Sequence, residues 1–210
     1  MNNAVLPRVP FYFIRHGETD WNREHKVMGH IDIPLNSTGI EQAQHACSSL
    51  ENLGIERVVT SPLQRASTTA AIIGEYLHII PEPIEGLSEI CWGEWEGKTP
   101  TEGYNFEKWV EGYTPEGAES CKAFEKRVQE TVCAILKTSK KTLIISHNGI
   151  YRVLLKTIGY TVCEANNCIS YLFQPQNDHT YPWLIFCLRD FGDSESEHTL
   201  NGQKWFQVKP

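Results

Sequence analysis

Val9-Pro10-Phe11-Tyr12-Phe13-Ile14-Arg15-His16-Gly17-Glu18-Thr19 sets an apolar run directly against a charged cluster. Val9 to Ile14 reads as a short buried strand whose C-terminal end carries Arg15 and His16. A loop follows from Asp20 to Leu35, containing Gly29, Asp32 and Pro34, after which Asn36 or Thr38 caps a helix. In that helix Ile40, Ala43, Cys47, Leu50 and Leu53 recur at spacings of three and four and mark one apolar face, with Gly54 as the stop.

The same arrangement returns twice. Arg57 to Thr60 is a β-branched run followed by Ser61-Pro62, an N-cap with proline at the first helical position, so Arg65 falls in about the first turn. Thr142-Leu143-Ile144-Ile145-Ser146 reads as a buried strand, and His147-Asn148-Gly149 leads into the helical pattern Ile150, Val153, Leu154, Ile158. Between these units Phe124, Val128, Thr131, Val132 and Ile135 outline another amphipathic helix, and Cys168 to Phe173 and Trp183 to Leu188 look like strands. Strands alternating with helices predict an α/β fold, a three-layer sandwich with a mostly parallel central sheet and helices on both faces. Ligands bind such sheets beyond the C-terminal strand ends, where His16, Arg65 and His147 would gather.

A chain of 210 residues, 40% hydrophobic and 21% charged, suits one globular domain over 1–210, with no internal repeat or linker. Two stretches stand apart: a lid-like excursion at about 90–120, and a polar, acidic segment at about 190–202 expected to be mobile. A net charge of −7 argues against a nucleic-acid surface or an anionic membrane, so any anion site must be local. No apolar run approaches the roughly 20 residues of a membrane span. Met1 to Pro10 lacks the blocks of a secretory signal, which reads as a cytoplasmic protein. The seven cysteines include no Cys-x-x-Cys pair and are expected to be reduced and structural.

Arg15-His16-Gly17-Glu18-Thr19 with Trp21-Asn22 closely resembles the signature of the histidine phosphatase superfamily, which includes phosphoglycerate mutases. Gly29-x-x-Asp32-x-Pro34-Leu35 with Gly39 and Gln42-Ala43 resembles its second block, and Ser61-Pro62-Leu63-Gln64-Arg65-Ala66 with Thr69-Ala70 its third. Leu87-x-Glu89, Gly93 and Trp95-Glu96-Gly97 resemble the acid-bearing segment, and Ser146-His147-Asn148-Gly149 the final histidine motif. A lone Arg-His-Gly arises by chance; five blocks in order do not.

The resemblance implies a phosphoglycerate mutase-like fold and a phosphohistidine formed on His16. A phosphoryl group in transit spreads charge over its equatorial oxygens, and arginine forks suit it. By resemblance Arg15, Arg65 and His147 form that pocket, Glu89 is the proton donor and later the base, and Asn22 and Gly29 line the phosphate site. Backbone N–H groups near Asn148, at a helix start, would add donors. Glu18 is the rival carboxylate. In the acid-phosphatase and phytase branch an acidic residue follows the second histidine, but here that position is Asn148, which points back to Glu89. Arg15 and Arg65 should oppose protonation of His16 and keep it nucleophilic.

His25 and His30 fit no familiar ligand spacing and read as solvated loop residues, so no metal is expected. No nucleotide-binding glycine motif occurs, so no cofactor is expected. Cofactor-dependent mutases of this family carry paired arginines after the acidic residue, whereas Ile90 to Glu125 contains no arginine. Trp92, Trp95, Tyr104, Phe106, Trp109 and Tyr113 crowd that segment instead, either as walls selecting an organic leaving group or as packing. The reading is a metal-independent phosphatase acting on a small phosphorylated metabolite, with inorganic phosphate as product. A mutase is the runner-up, and a catalytically weak module that binds phospho-ligands is the alternative of another class. Monomer and homodimer both fit.

Overall fold

The computed structural model describes residues 6–138, 140–177, 182–188, 197–200 and 203–208. The elements run β1 (Phe11–Arg15), α1 (Asp20–Arg23), α2 (Ser37–Leu50), β2 (Arg57–Thr60), α3 (Gln64–Leu77), β3 (Glu82–Pro83), α4 (Phe106–Val110), α5 (Cys121–Ile135), β4 (Thr142–Ser146), α6 (Asn148–Ile158), β5 (Ser170–Pro175), β6 (Trp183–Cys187), β7 (Glu197–Leu200) and β8 (Gln203–Gln207). The sheet order is β3-β2-β4-β1-β5-β6-β8-β7. From β3 to β1 the pairing is parallel; beyond β1 every pairing is antiparallel.

Each central strand is apolar on both faces because both faces are covered. Phe11 and Phe13 join Val59, Ile144 and the helices α5 and α6 in one core, while Tyr12 and Ile14 join Val58, Leu143, Ile145 and the helices α2 and α3 in the other. The period-two alternation of a strand thus sorts consecutive residues into separate cores. These are the sandwich and parallel core read from the sequence; the antiparallel wing is an addition to it.

Several local expectations change. The first strand starts at Phe11, not Val9, since Pro10 has no N–H to give a ladder. The expected loop opens with α1, held by a capping box in which Thr19 and Asn22 bond each other. Asn36 caps α2, but Ile40 is 39% exposed. The buried stripe is Gly39, Ala43, Ala46, Cys47 and Leu50, and α2 ends at Leu50. Ser61 does not cap α3. Leu63 occupies the cap position, Ser61 accepts the Leu63 N–H, and the Gln64 N–H donates to Asp32 Oδ1 at 2.6 Å. A carboxylate from another loop supplies the anion that the helix start favours. Cys47, Cys168 and Cys187 are buried and Cys163 is exposed, so a structural role in the core fits only part of the set.

The segment expected to be mobile at about 190–202 falls largely outside the described residues. Its described part, Glu197–Leu200, is a strand paired with β8, so that part is sheet edge. Within 90–120, Trp92, Trp95 and Trp109 are buried in a core with Tyr104 and Phe106 packed against it, while Tyr113 is 52% exposed. Among the described residues no helix is long and apolar enough to cross a membrane.

Candidate active site

Strand register brings the predicted residues together. Arg15 lies opposite Ser146, the His16 N–H donates to Ser146 O at 2.9 Å, and the Ser61 N–H donates to Ile145 O at 3.2 Å. All three chains therefore leave the sheet at one edge. α3 then starts three residues after Ser61 and carries Arg65 in its first turn, while His147 is the cap residue of α6.

His16 is 2% exposed, and its Nδ1 lies 2.7 Å from Gly17 O. A carbonyl can only accept, so Nδ1 carries the proton and Nε2 keeps its lone pair. Burial, then the Arg65 and Arg15 guanidiniums, hold His16 well below the ordinary imidazole value. The ring is therefore neutral at pH 7, the form a nucleophile requires. His147 is fully buried, its ring 5.2 Å from that of His16, and burial with Arg65 depresses it likewise.

The arginines are held by backbone rather than by acids. Arg15 Nη1 donates to Ala165 O at 2.8 Å, and Arg65 donates through Nη2 to Gly29 O at 2.7 Å and through Nη1 to Ile31 O at 3.3 Å. Their Nε atoms, and both ring nitrogens of His147, are buried without a hydrogen-bond partner. An unmade buried bond costs about 1–3 kcal/mol, so such a cluster calls for a ligand. The geometry presents donors to an anion beside a lone pair.

Glu89 faces the same cavity. Its Oε2 accepts from the Gly149 N–H at 3.2 Å and its Oε1 from the Ile90 N–H at 3.0 Å, which docks the carboxylate at the start of α6. Glu18 instead accepts from Asn36 Nδ2 at 2.9 Å, beside the cap of α2. A Cβ on Gly149 would lie 2.1 Å from Glu89 Oε1 and 3.0 Å from Phe124 Cζ. Gly149→Ala should therefore displace the carboxylate and lower kcat about tenfold to a hundredfold, while the inhibition constant for inorganic phosphate stays within about twofold. An unchanged kcat would show that Glu89 does not need this seat.

Gly29, Asn22 and Asn148 also line the cavity, though each has a second task. Gly29 sits at φ +53, its carbonyl holds Arg65, and a Cβ there would lie 2.1 Å from Glu96 Oε1. Asn22 Oδ1 accepts from both the N–H and the hydroxyl of Thr19, which leaves Nδ2 as the donor it can offer. Asn148 Oδ1 accepts from the Ala165 N–H at 2.9 Å and so fixes the residue whose carbonyl holds Arg15. The cavity measures about 170 Å³.

The model of the histidine phosphatase superfamily, branch 1, matches residues 11–168, which carry the strand ends, both histidines, both arginines and Glu89. The chain belongs to the histidine phosphatase superfamily. It is 33% identical to a protein of Bacillus subtilis named "Uncharacterized phosphatase PhoE", over 69% of this chain and 75% of that one. It is equally 33% identical to a protein of Serratia proteamaculans named "Probable phosphoglycerate mutase GpmB", over 70% of this chain and 73% of that one. The crystal structure of the alpha-ribazole phosphatase from Shigella flexneri superposes with a TM-score of 0.70 at 25% identity, covering 80% of this chain and 92% of that one. The fold is thus the phosphoglycerate mutase-like one, and the protein is a phosphoric monoester hydrolase.

Much of what this histidine phosphatase places around His16 had no role in the motif reading, although Thr69 and Glu96 stood among its letters. Asn167 Nδ2 donates to His16 O at 2.7 Å, and Thr69 Oγ1 accepts the Gly17 N–H at 3.0 Å. Glu96 accepts from the N–H groups of His30, Ile31 and Trp92, tying the loop that holds Arg65 to the aromatic segment. His30, expected to be merely solvated, donates from Nε2 to Glu89 O at 2.9 Å. Arg152 of α6 reaches the cavity with its guanidinium 4.1 Å from the Phe106 ring centroid. An arginine thus reaches the cavity from α6 rather than from 90–125.

Proposed function

We propose that this phosphatase hydrolyses small-molecule phosphomonoesters, without a metal, through a phosphohistidine on His16. The supporting observation is the cluster of buried, unpartnered donors on Arg15, Arg65 and His147 beside a neutral His16 whose Nε2 is left as the nucleophile. In the first half-reaction His16 Nε2 bonds to phosphorus and the P–O bond to the alcohol breaks. Glu89, as the carboxylic acid, protonates the departing oxygen. In the second, Glu89 as carboxylate takes a proton from water while the water oxygen displaces His16 from phosphorus, which releases inorganic phosphate. The donors that meet the equatorial oxygens do what a metal would do elsewhere. Among the described residues no group of three or more His, Cys, Asp or Glu is placed to hold one.

Water is favoured as acceptor over a second phosphoglycerate because the cavity offers one anion seat. The cations nearer its mouth already face acids, Lys26 bonding Glu24 at 2.7 Å and Arg152 lying 3.8 Å from Glu164. Of the described cations lining it, Arg15 and Arg65 meet only backbone, while Arg152 keeps one buried Nε without a hydrogen-bond partner. At about 170 Å³ the cavity is also below the roughly 300–1,000 Å³ of drug-sized ligand sites. The mutase reading keeps the support of relatives bearing that name.

An aryl phosphate offered with excess chelator should turn over, and acid-labile, base-stable phosphate should be trapped on the protein by rapid quench. Loss of turnover on chelation, or phosphate that survives acid, would overturn the mechanism. Interconversion of 2- and 3-phosphoglycerate faster than phosphate release would instead favour the mutase.

A further inference from the structure

Glu89 stands in a segment whose place no sheet ladder fixes. After the Ile84 N–H donates to Thr60 O at 2.8 Å, the chain makes a 3-10 turn at Glu85–Leu87 and continues irregularly to Trp92. Ser146 Oγ donates to Leu87 O at 2.7 Å and His30 Nε2 shares Glu89 O, but three of the segment's carbonyls converge on one side chain. Arg127, on α5, donates from Nη1 to Gly86 O and to Ser88 O, each at 2.9 Å, and from Nη2 to Glu89 O at 3.2 Å. Its remaining donors grip Glu119, Nε to Oε1 at 3.0 Å and Nη2 to Oε2 at 2.7 Å. A guanidinium has five N–H groups in one plane, and here each has an acceptor.

The clamp is itself fixed. The Arg127 guanidinium lies 5.0 Å from the buried Phe124 ring centroid. The Glu119 backbone is pinned by its N–H to Cys91 O at 2.8 Å and by the Trp109 indole to Glu119 O at 2.8 Å. Gly86 packs so closely on α5 that a Cβ would lie 2.0 Å from Thr131 Oγ1. We propose that Arg127, locked by Glu119, is the positioning residue for Glu89, holding its backbone so that the carboxylate meets the leaving oxygen. The proposal rests on the reading of Glu89 as the proton donor. A displacement of about 1 Å at a reacting group is enough to cost up to about a hundredfold in rate. Lysine, with three donors on a point charge, cannot reproduce the fork.

The test uses kcat/KM, which reports the first half-reaction alone, for two substrates. Benzyl phosphate releases an alkoxide that needs a proton, whereas 4-nitrophenyl phosphate releases a stable phenolate. Arg127→Lys and Glu119→Gln should each lose about tenfold on benzyl phosphate and less than about threefold on 4-nitrophenyl phosphate, with Glu89→Gln showing the same bias more strongly. A clamp that only supports folding would lower both substrates equally, in step with thermal stability, and that result overturns the proposal. Equal losses in Glu89→Gln would instead overturn the role of Glu89. A biased Glu89→Gln beside unbiased Arg127→Lys and Glu119→Gln overturns the positioning role alone.

Discussion

His16→Ala is expected to abolish turnover, lowering kcat by at least about 10⁴-fold, while phosphate still binds and the acid stability of the protein improves. The first effect follows from the loss of the nucleophile, the imidazole whose Nε2 lone pair is left free by the Nδ1 bond to Gly17 O. Binding persists because Arg15, Arg65 and His147 keep their unpartnered donors. The third effect is a matter of sign. His16 and His147 are both held well below their ordinary value in the fold, while the unfolded chain protonates them near pH 6.5. As pH falls below about 6.5 the unfolded state takes up protons that the folded state refuses, so stability is complete above that pH and declines below it. Each histidine contributes up to about 1.4 kcal/mol per pH unit. His16→Ala removes one of the two, and its stability should fall less steeply between neutral pH and pH 5 in urea titrations. Residual turnover above about one-hundredth of the native rate would contradict the nucleophile. A slope as steep as the native one would show that the imidazole is not held neutral.

The side chains in the motifs were legible, because a strand followed by a polar junction and a helix has a periodicity, and Arg15, His16, Arg65, Glu89 and His147 have letters. Asn167 and Arg127, side chains outside those motifs, were not. Parts that act through the main chain had no letters. Ala165 and Gly29 serve by their carbonyls, which every residue possesses, and only the fold shows that these two face arginines. The Gly29 carbonyl is placed by a positive φ and by Glu96, two features from segments far apart in sequence. Local propensity also misjudged the start of α3, since Ser61-Pro62 is a sound cap pattern that lost to Asp32 reaching across from another loop. Ile40 failed for a different reason. Its spacing matched the apolar face, but at the start of α2 Gly39 lies against the backbone of Gly17 and Glu18, and the buried stripe runs through the smaller residues instead. The antiparallel wing beyond β1 had no distinguishing letter pattern, because a strand reads the same whichever way its neighbour runs.

Arg65→Gln should lower kcat/KM about 10³-fold, comparable to losing an oxyanion donor in a closed site, without lowering the melting temperature in phosphate-free buffer. The rate loss has two sources. One is the missing fork. The other is the loop from Gly29 to Ile31, whose carbonyls lose their partner and with it their hold on the cavity wall. Stability should nonetheless hold, because Arg65 is fully buried and, among the described residues, no carboxylate lies in ion-pair contact with it. A guanidinium kept from water with only carbonyl partners costs the fold free energy, and a neutral amide removes that cost. The native protein is thus expected to carry strain that phosphate relieves. Saturating phosphate should raise the native melting temperature and raise that of the variant far less. Arg65 is also the largest influence after burial depressing both histidines, so its loss raises their pKa values and should move the acid limb of kcat/KM toward neutral pH. A variant that melts well below the native protein without phosphate, yet keeps its rate within tenfold, would mean that Arg65 serves the fold rather than the anion.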